Sequence, residues 1–299
     1  MPVESEDRFQ AFHQYRGLLF SIAYRMLGSV ADAEDMLQET FLRWQQARDL
    51  EVQSSRAFLV TIISRLCLNH LQSARVQREE YPGHWLPEPL VTGSEGDPSE
   101  GAHLEDSLSM AFLVLLERLT PQERAVFLLR EVFDYEYQDI AGILDQSEAN
   151  CRQILRRARQ HVAEMRPRFK ASPEQRQQLL ADFLQATATG DLEKLVTLLS
   201  RDAVLHSDGG GKAPAIPNLV HGADRVARAI LGGLQKLVPA DRTSRMAQIN
   251  GEPGIVSYTQ GRPFSVLTLE IDRARIQAIY IVTNPEKLAH LEPLPEPPC

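Results

Sequence analysis

The chain has 299 residues, 43% hydrophobic and 24% charged, with a formal net charge of −8. That composition describes a folded, water-soluble protein of two or three domains and excludes wholesale disorder. No apolar run approaches a membrane span, the acidic, polar start is no signal peptide, and three distant cysteines (Cys67, Cys151, Cys299) build no disulfide framework.

Apolar residues recur at three- and four-residue spacing over 9–27, 30–47, 56–77, 107–119, 121–133, 137–144 and 147–165, which predicts helices throughout 9–170. Between Glu79 and Asp106 lie eight acidic residues, no Lys or Arg, and four prolines, so 79–106 reads as an acidic linker rather than a core element. Basic blocks flank it. Residues 43–78 hold six basic residues against Asp49 and Glu51, and residues 152–170 hold seven against Glu164. Ser172-Pro173 reads as a helix start. Two helices are expected over 173–199 and another over 224–237. The segments 246–249, 254–260, 264–271 and 275–283 are rich in Val, Ile, Thr and Tyr and read as a strand meander, which makes the last domain α+β. The tail 291–299 is mostly Pro and Glu.

Residues 137–144, the turn Asp145-Gln146-Ser147 and the helix that follows have helix-turn-helix form, with Ser147 as N-cap. At 100° per residue, Cys151, Ile154, Leu155, Ala158 and Val162 fall on one side of the second helix. Arg152, Gln153, Arg156, Arg157, Arg159 and Gln160 fall on the other. Arg and Gln make the bidentate contacts to guanine and adenine edges in the major groove, so this face is a candidate DNA reader. The alternative is a solvated charged face.

The string Phe20-Ser21-Ile22-Ala23-Tyr24-Arg25-Met26-Leu27-Gly28, followed by Ala31-Asp32-Ala33-Glu34-Asp35-Met36-Leu37-Gln38-Glu39-Thr40-Phe41-Leu42-Arg43-Trp44, resembles the core-binding region of bacterial RNA polymerase sigma factors of the extracytoplasmic-function (ECF) group. The resemblance implies that Asp32, Asp35, Gln38 and Glu39 dock on the clamp helices of the polymerase β′ subunit. It makes 9–78 sigma region 2. The helix after the 48–55 loop becomes the reader of the −10 element through Arg65, Asn69, Ser73, Arg75 and Arg78. It makes 107–170 sigma region 4, reading the −35 element through Arg152, Gln153, Arg156 and Arg157.

Three further motifs extend the likeness: Trp85-Leu86-Pro87-Glu88-Pro89, the Asp-Gly-Gly-Gly-Lys run at 208–212 and the Asn-Pro-Glu-Lys-Leu run at 284–288. With a SnoaL-like (NTF2-like) cone over 173–290, they are similar to the SigJ-like subgroup, which usually has Asp where this chain has Glu286. The resemblance implies that the extension tunes activity in place of a separate anti-sigma protein. Trp85, Leu86, Pro87, Asp208, Gly209, Gly210, Gly211, Lys212, Asn284, Pro285 and Lys287 are then interdomain regulatory residues. The implied partners are the polymerase core (β′ and β subunits) and promoter DNA, with no membrane, and an unknown small ligand in the cone is a further candidate. The implied compartment is the cytoplasm.

In the last domain, Asp202, His206, Asp208 and His221 form a carboxylate–imidazole set suited to acid–base work if they converge. The run at 208–212 is no P-loop, and HExxH, CxxC, GxSxG and GxGxxG are absent, so neither a metal, a cofactor nor a catalytic role is expected. Two other functions fit parts of the pattern: a ligand-responsive helix-turn-helix regulator, and a SnoaL-like enzyme fused to a DNA-binding module.

Overall fold

The computed structural model describes residues 5–47, 52–79, 81–93, 108–163 and 171–294. The chain divides into two compact units. The first takes 1–79, 94–108 and 112–166; the second takes 80–93, 109–111 and 167–299.

Unit 1 is helical. Helices α1 (Ser5–Leu27), α2 (Val30–Gln46) and α3 (Ser55–Glu79) pack against one another. Ser29 N-caps α2, its hydroxyl accepting from the Asp32 N–H at 3.1 Å. Leu37 and Trp44 of α2 are buried, and Phe41 between them is half-buried. Trp44 also explains a buried arginine. Arg8 lies 4.3 Å from the Trp44 ring centroid and donates to the Trp44 and Ala47 carbonyls at 2.7 and 2.9 Å. Those carbonyls lie in the last turn of α2 and at its C-cap, where a cation is favoured.

Helices α4 (Met110–Leu116), α5 (Pro121–Phe127), α6 (Tyr137–Leu144) and α7 (Glu148–Ala163) follow. A capping box of Thr120 and Glu123, with Pro121 at the first position, starts α5. The expected helix over 121–133 changes to a π-helical turn over Leu128–Val132. Buried Arg124 ties α5 to the first three helices by donating to the Met26 carbonyl at 2.7 Å, while pairing with Glu117 at 2.6 Å.

Unit 2 is α+β, as its composition predicts. Ser172 and Gln175 form a capping box for α8 (Pro173–Thr189), which ends on Gly190 in the left-handed region. Helices α9 (Leu192–Leu198) and α10 (Ala223–Leu237) join α8 over a seven-stranded sheet in the order β1-β4-β5-β6-β7-β2-β3. The strands are β1 (Val91–Thr92), β2 (Leu199–Asp208), β3 (Val220–His221), β4 (Thr243–Ile249), β5 (Glu252–Thr259), β6 (Arg262–Asp272) and β7 (Arg275–Val282). Neighbours are antiparallel except β2 and β7, which run parallel. Asn250-Gly251 and Gln260-Gly261 take positive φ at both positions, the geometry of a tight hairpin turn.

Two expectations change. The helices of 173–199 give way at Leu199 to β2, which the sequence analysis missed. Ser200, Arg201 and Asp202 interrupt its alternation, so its period is weak. The other correction concerns the linker. Residues 81–93 are not a spacer but part of unit 2. Leu86 is 0% exposed, Leu90 is buried, and Val91–Thr92 forms the edge strand on β4. The Leu90 N–H donates to Asn250 Oδ1 at 3.1 Å, and the Asn250 N–H donates to the Leu90 carbonyl at 2.7 Å. Residues 94–107 lie outside the described residues.

Because Leu86 is fully buried, Leu86→Ala should destabilise unit 2 by about 2–5 kcal/mol, the usual range for a buried Leu truncation. Urea unfolding of the full chain followed by near-UV circular dichroism, which reports on the Trp85 environment, should show the transition at lower denaturant.

Candidate nucleic-acid and polymerase surfaces and the linker anchor

Helix α7 sorts its residues as the helical wheel requires. Cys151, Ile154, Leu155, Ala158 and Val162 are buried; Arg152, Gln153, Arg156, Arg157, Arg159 and Gln160 are exposed. Its start is fixed locally. Asp145 closes α6 with φ 54°, and the Ser147 hydroxyl accepts from the Asn150 N–H at 3.2 Å. Within the cationic face the arginines differ. Arg152 pairs with Glu148 at 2.8 Å and stacks on Tyr137, while Arg159 pairs with Glu131 at 2.6 Å. Arg156, Arg157 and Gln153 are exposed on the same face.

On α2, Asp35 and Gln38 are exposed. Glu39 is half-buried and pairs with Arg43 one turn on at 2.7 Å. Asp32 is half-buried too, with a carboxylate oxygen 3.6 Å from His70 Nε2 of α3. Among the expected −10 residues, Asn69 and Ser73 are exposed on α3, and the Ser73 hydroxyl donates back to the His70 carbonyl at 2.9 Å. Arg65 is engaged within unit 1. Its guanidinium donates to the Ile143 and Gly142 carbonyls, at 2.7 and 2.9 Å, in the last turn of α6. Two of its donors are thereby committed to α6, although the residue itself is exposed. The side chains of Arg75 and Arg78, and residues 48–51 of the preceding loop, lie outside the described residues.

The three short motifs meet at one carboxylate. Asp208, at the end of β2, has a fully buried side chain. Its Oδ1 accepts from the Tyr81 hydroxyl at 2.7 Å and the Gly210 N–H at 3.0 Å. Its Oδ2 accepts from the Leu86 N–H at 2.8 Å and the Lys287 ammonium at 2.7 Å. Lys287, only 7% exposed, also donates to the Leu86 carbonyl and lies 4.1 Å from the Trp85 ring centroid. Asn284 completes the ring, donating to the Tyr81 oxygen at 2.9 Å. Burial, followed by the hydrogen bond to Asp208, pushes the Tyr81 hydroxyl well above its usual pKa, so it stays a donor.

The glycines make this close approach workable. A Cβ on Gly210 would fall 2.3 Å from Asn284 Nδ2, and one on Gly211 would fall 2.9 Å from Pro82 Cγ; both have positive φ. Lys212 and Glu286 instead form a surface pair. Glu286 is 67% exposed, so its departure from the usual Asp falls outside the buried ring. Pro285 is exposed and Pro87 is buried. Trp85 thus finds its partner within unit 2.

The carboxylate–imidazole set does not assemble. Asp208 is committed to Lys287, and Asp202 pairs with Ser200 at 3.1 Å. His206 Nδ1 lies 2.9 Å from His84 Nε2, and exposed His221 sits on β3. Residues Tyr81 and Asn250 escaped the sequence analysis. Tyr81-Pro82-Gly83 just before the Trp85 motif, and the Asn250-Gly251 turn dipeptide, were the available signals.

A helical domain with an acid-and-amide face, joined to a helix-turn-helix with an exposed cationic second helix, has the organisation of a transcription-initiation specificity subunit. Comparison with known proteins agrees. Residues 11–76 match Sigma-70 region 2, and residues 109–162 match Sigma-70 region 4. The chain is 36% identical over 292 residues to the ECF RNA polymerase sigma factor SigJ of Mycobacterium tuberculosis, covering 94% of this chain and 92% of the relative. It is 32% identical over 286 residues to the probable ECF sigma factor SigI of the same species, covering 93% of each. The crystal structure of M. tuberculosis SigJ superposes with a TM-score of 0.77 at 34% identity, covering 94% of this chain and 98% of that one. The chain belongs to the ECF RNA polymerase sigma factors, and its function is promoter-directed initiation of transcription.

Removing one member of a buried ion pair leaves the other charge uncompensated. Lys287→Met should therefore destabilise unit 2 by about 3–5 kcal/mol, while Asp208→Asn with Lys287→Met should recover part of the loss. Thermal unfolding gives the ranking.

Proposed function

We propose that α2 docks on the β′ clamp helices through Asp35, Gln38 and Glu39, with Asp32 at the margin, and that α7 reads the −35 element through Gln153, Arg156 and Arg157 with Arg152 beside them. Asn69 and Ser73 serve −10 recognition, joined by Arg65 once its hold on α6 is released. The observation that carries the reading is α7: six polar side chains exposed on one face and five apolar ones buried on the other. Arg156 and Arg157 are exposed there, while Arg152 and Arg159 already have acidic neighbours. Phosphate neutralisation would give salt-dependent affinity, and bidentate contacts to bases would give sequence preference.

The second unit acts as the built-in regulator. The support is covalent and energetic: residues 81–93 follow region 2 on the way to region 4 along the chain, yet their buried contacts lie in unit 2. The energy that holds this segment is therefore the energy of unit 2, and core binding that redirects the segment must offset it. No separate anti-sigma protein is then required. Among the described residues no helix is long and apolar enough to cross a membrane, in keeping with work beside cytoplasmic polymerase.

Run-off transcription with purified core polymerase tests the assignment. The full chain should start defined transcripts where core alone is silent. Asp35→Lys with Glu39→Lys should cut output at least tenfold by weakening core capture. Arg156→Ala with Arg157→Ala should leave core capture intact and lower promoter output, each lost base contact costing about 1–3 kcal/mol. Operator-like binding by the chain alone, with no transcripts, would replace this reading with a ligand-responsive regulator.

A further inference from the structure

Unit 2 holds a cavity that none of the motifs above uses. It has a volume of about 130 Å³ and opens to solvent between α8, α10 and the sheet. Its floor is apolar, made by Phe183, Ile230, Ile255, Leu267 and Ile281. Leu267 and Ile281 are only partly buried, although β6 and β7 are interior strands. Apolar surface in the middle of a sheet is thus left uncovered by the protein's own side chains.

The polar groups are unevenly committed. The Thr187 hydroxyl donates to the Leu184 carbonyl, the Thr283 hydroxyl donates to the Pro214 carbonyl, and the Ser207 hydroxyl accepts from the Ile216 N–H. At the other end the strand register sets Ser244 opposite Ser257 and Ser257 opposite Ser265. This gives a row of hydroxyls across β4, β5 and β6, with Ser244 and Ser257 Oγ 3.0 Å apart. Arg242, two residues before Ser244, lines the same end and is the single charged group among the described lining residues. The neighbouring Asp241 carboxylate accepts from the Thr259 hydroxyl at 2.9 and 3.0 Å and is not part of the lining.

We propose that this cavity binds a monoanionic amphiphile: a hydrocarbon body on the apolar floor, and a carboxylate at Arg242 and the serine row. Arginine holds carboxylates through charge-assisted, bidentate hydrogen bonds, and the described lining carries no acidic group to repel one. The described lining also lacks Asp, Glu, His, Cys, Tyr and Lys, so the groups present suit holding a ligand rather than proton transfer. The proposal is independent of which surface meets polymerase.

Calorimetric titration of the full chain with decanoate and with 1-decanol tests it. Decanoate should saturate one site, with 1-decanol about tenfold weaker, the equivalent of one charge-assisted hydrogen bond. Arg242→Gln should bring the two ligands within about twofold of each other. Gly233 lines the cavity from α10, and a Cβ there meets nothing within 4 Å. Gly233→Phe should therefore fill the space and abolish binding of both, with unchanged far-UV circular dichroism. No saturable decanoate binding to the unmodified chain would overturn the proposal. So would equal affinity for the two ligands, or binding that survives Gly233→Phe in a folded protein. If that variant fails to fold, the decanoate-to-decanol ratio in the unmodified chain and in Arg242→Gln decides.

Discussion

A carboxylate buried without solvent must be met by donors, and Asp208 is met by four. That requirement organises unit 2. Lys287 must come from the segment after β7, the Leu86 N–H and the Tyr81 hydroxyl from the stretch between the two sigma regions, and the Gly210 N–H from the turn after β2. Three pieces of chain, lying 122 and 79 residues from Asp208 at Leu86 and Lys287, are held in one register by one side chain. The same ring gives Trp85 its cationic neighbour. Alone, the ion pair is weak evidence of stability, since desolvation offsets most of its attraction. Its force is specificity: an alternative docking of residues 81–93 would strand a buried charge.

The chain leaves the helical unit after Glu79, contributes residues 80–93 to the α+β unit, and then returns. Residues 81–93, which follow region 2 in the chain, are therefore structural material of unit 2. Cutting the chain before α8 would do more than delete an appendage. It would remove the sheet against which Leu86 and Leu90 are buried.

Strand alternation divides the chemistry of unit 2 between two faces. Along β2, His206 and Asp208 share a face with the linker contacts, and Ser207 between them faces the cavity. His206 lies opposite Tyr280 of β7, whose hydroxyl donates to Glu270 at 3.0 Å; burial raises that carboxyl's pKa. The titratable groups thus gather on the side that anchors the linker. The cavity side is apolar with a hydroxyl and guanidinium end. The acid–base set read along the sequence as one group is nonetheless divided by its partners, Asp208 being committed to Lys287, Asp202 to Ser200 and His206 to His84.

The helices, the turn of the helix-turn-helix and both faces of α7 were legible in the sequence, because they depend on contacts three or four residues apart and on caps such as Ser29, Ser147 and Ser172. The hairpins of the meander were legible for the same local reason. What escaped was set by distant partners. Strand β2 carries polar residues at six of its ten positions, three of them in a row at Ser200, Arg201 and Asp202, so its period was masked. Residues 81–93 looked like a spacer because proline and acid dominate the composition, whereas their fate depends on Asn250, Asp208 and Lys287. Arg65 read as a free basic residue until α6 supplied the carbonyls it binds. By itself, then, the sequence determined the local elements, the cationic helix and the family. Which side chains are committed and which remain available was decided by tertiary structure alone, because commitment is a property of the partner and the partner lies far along the chain.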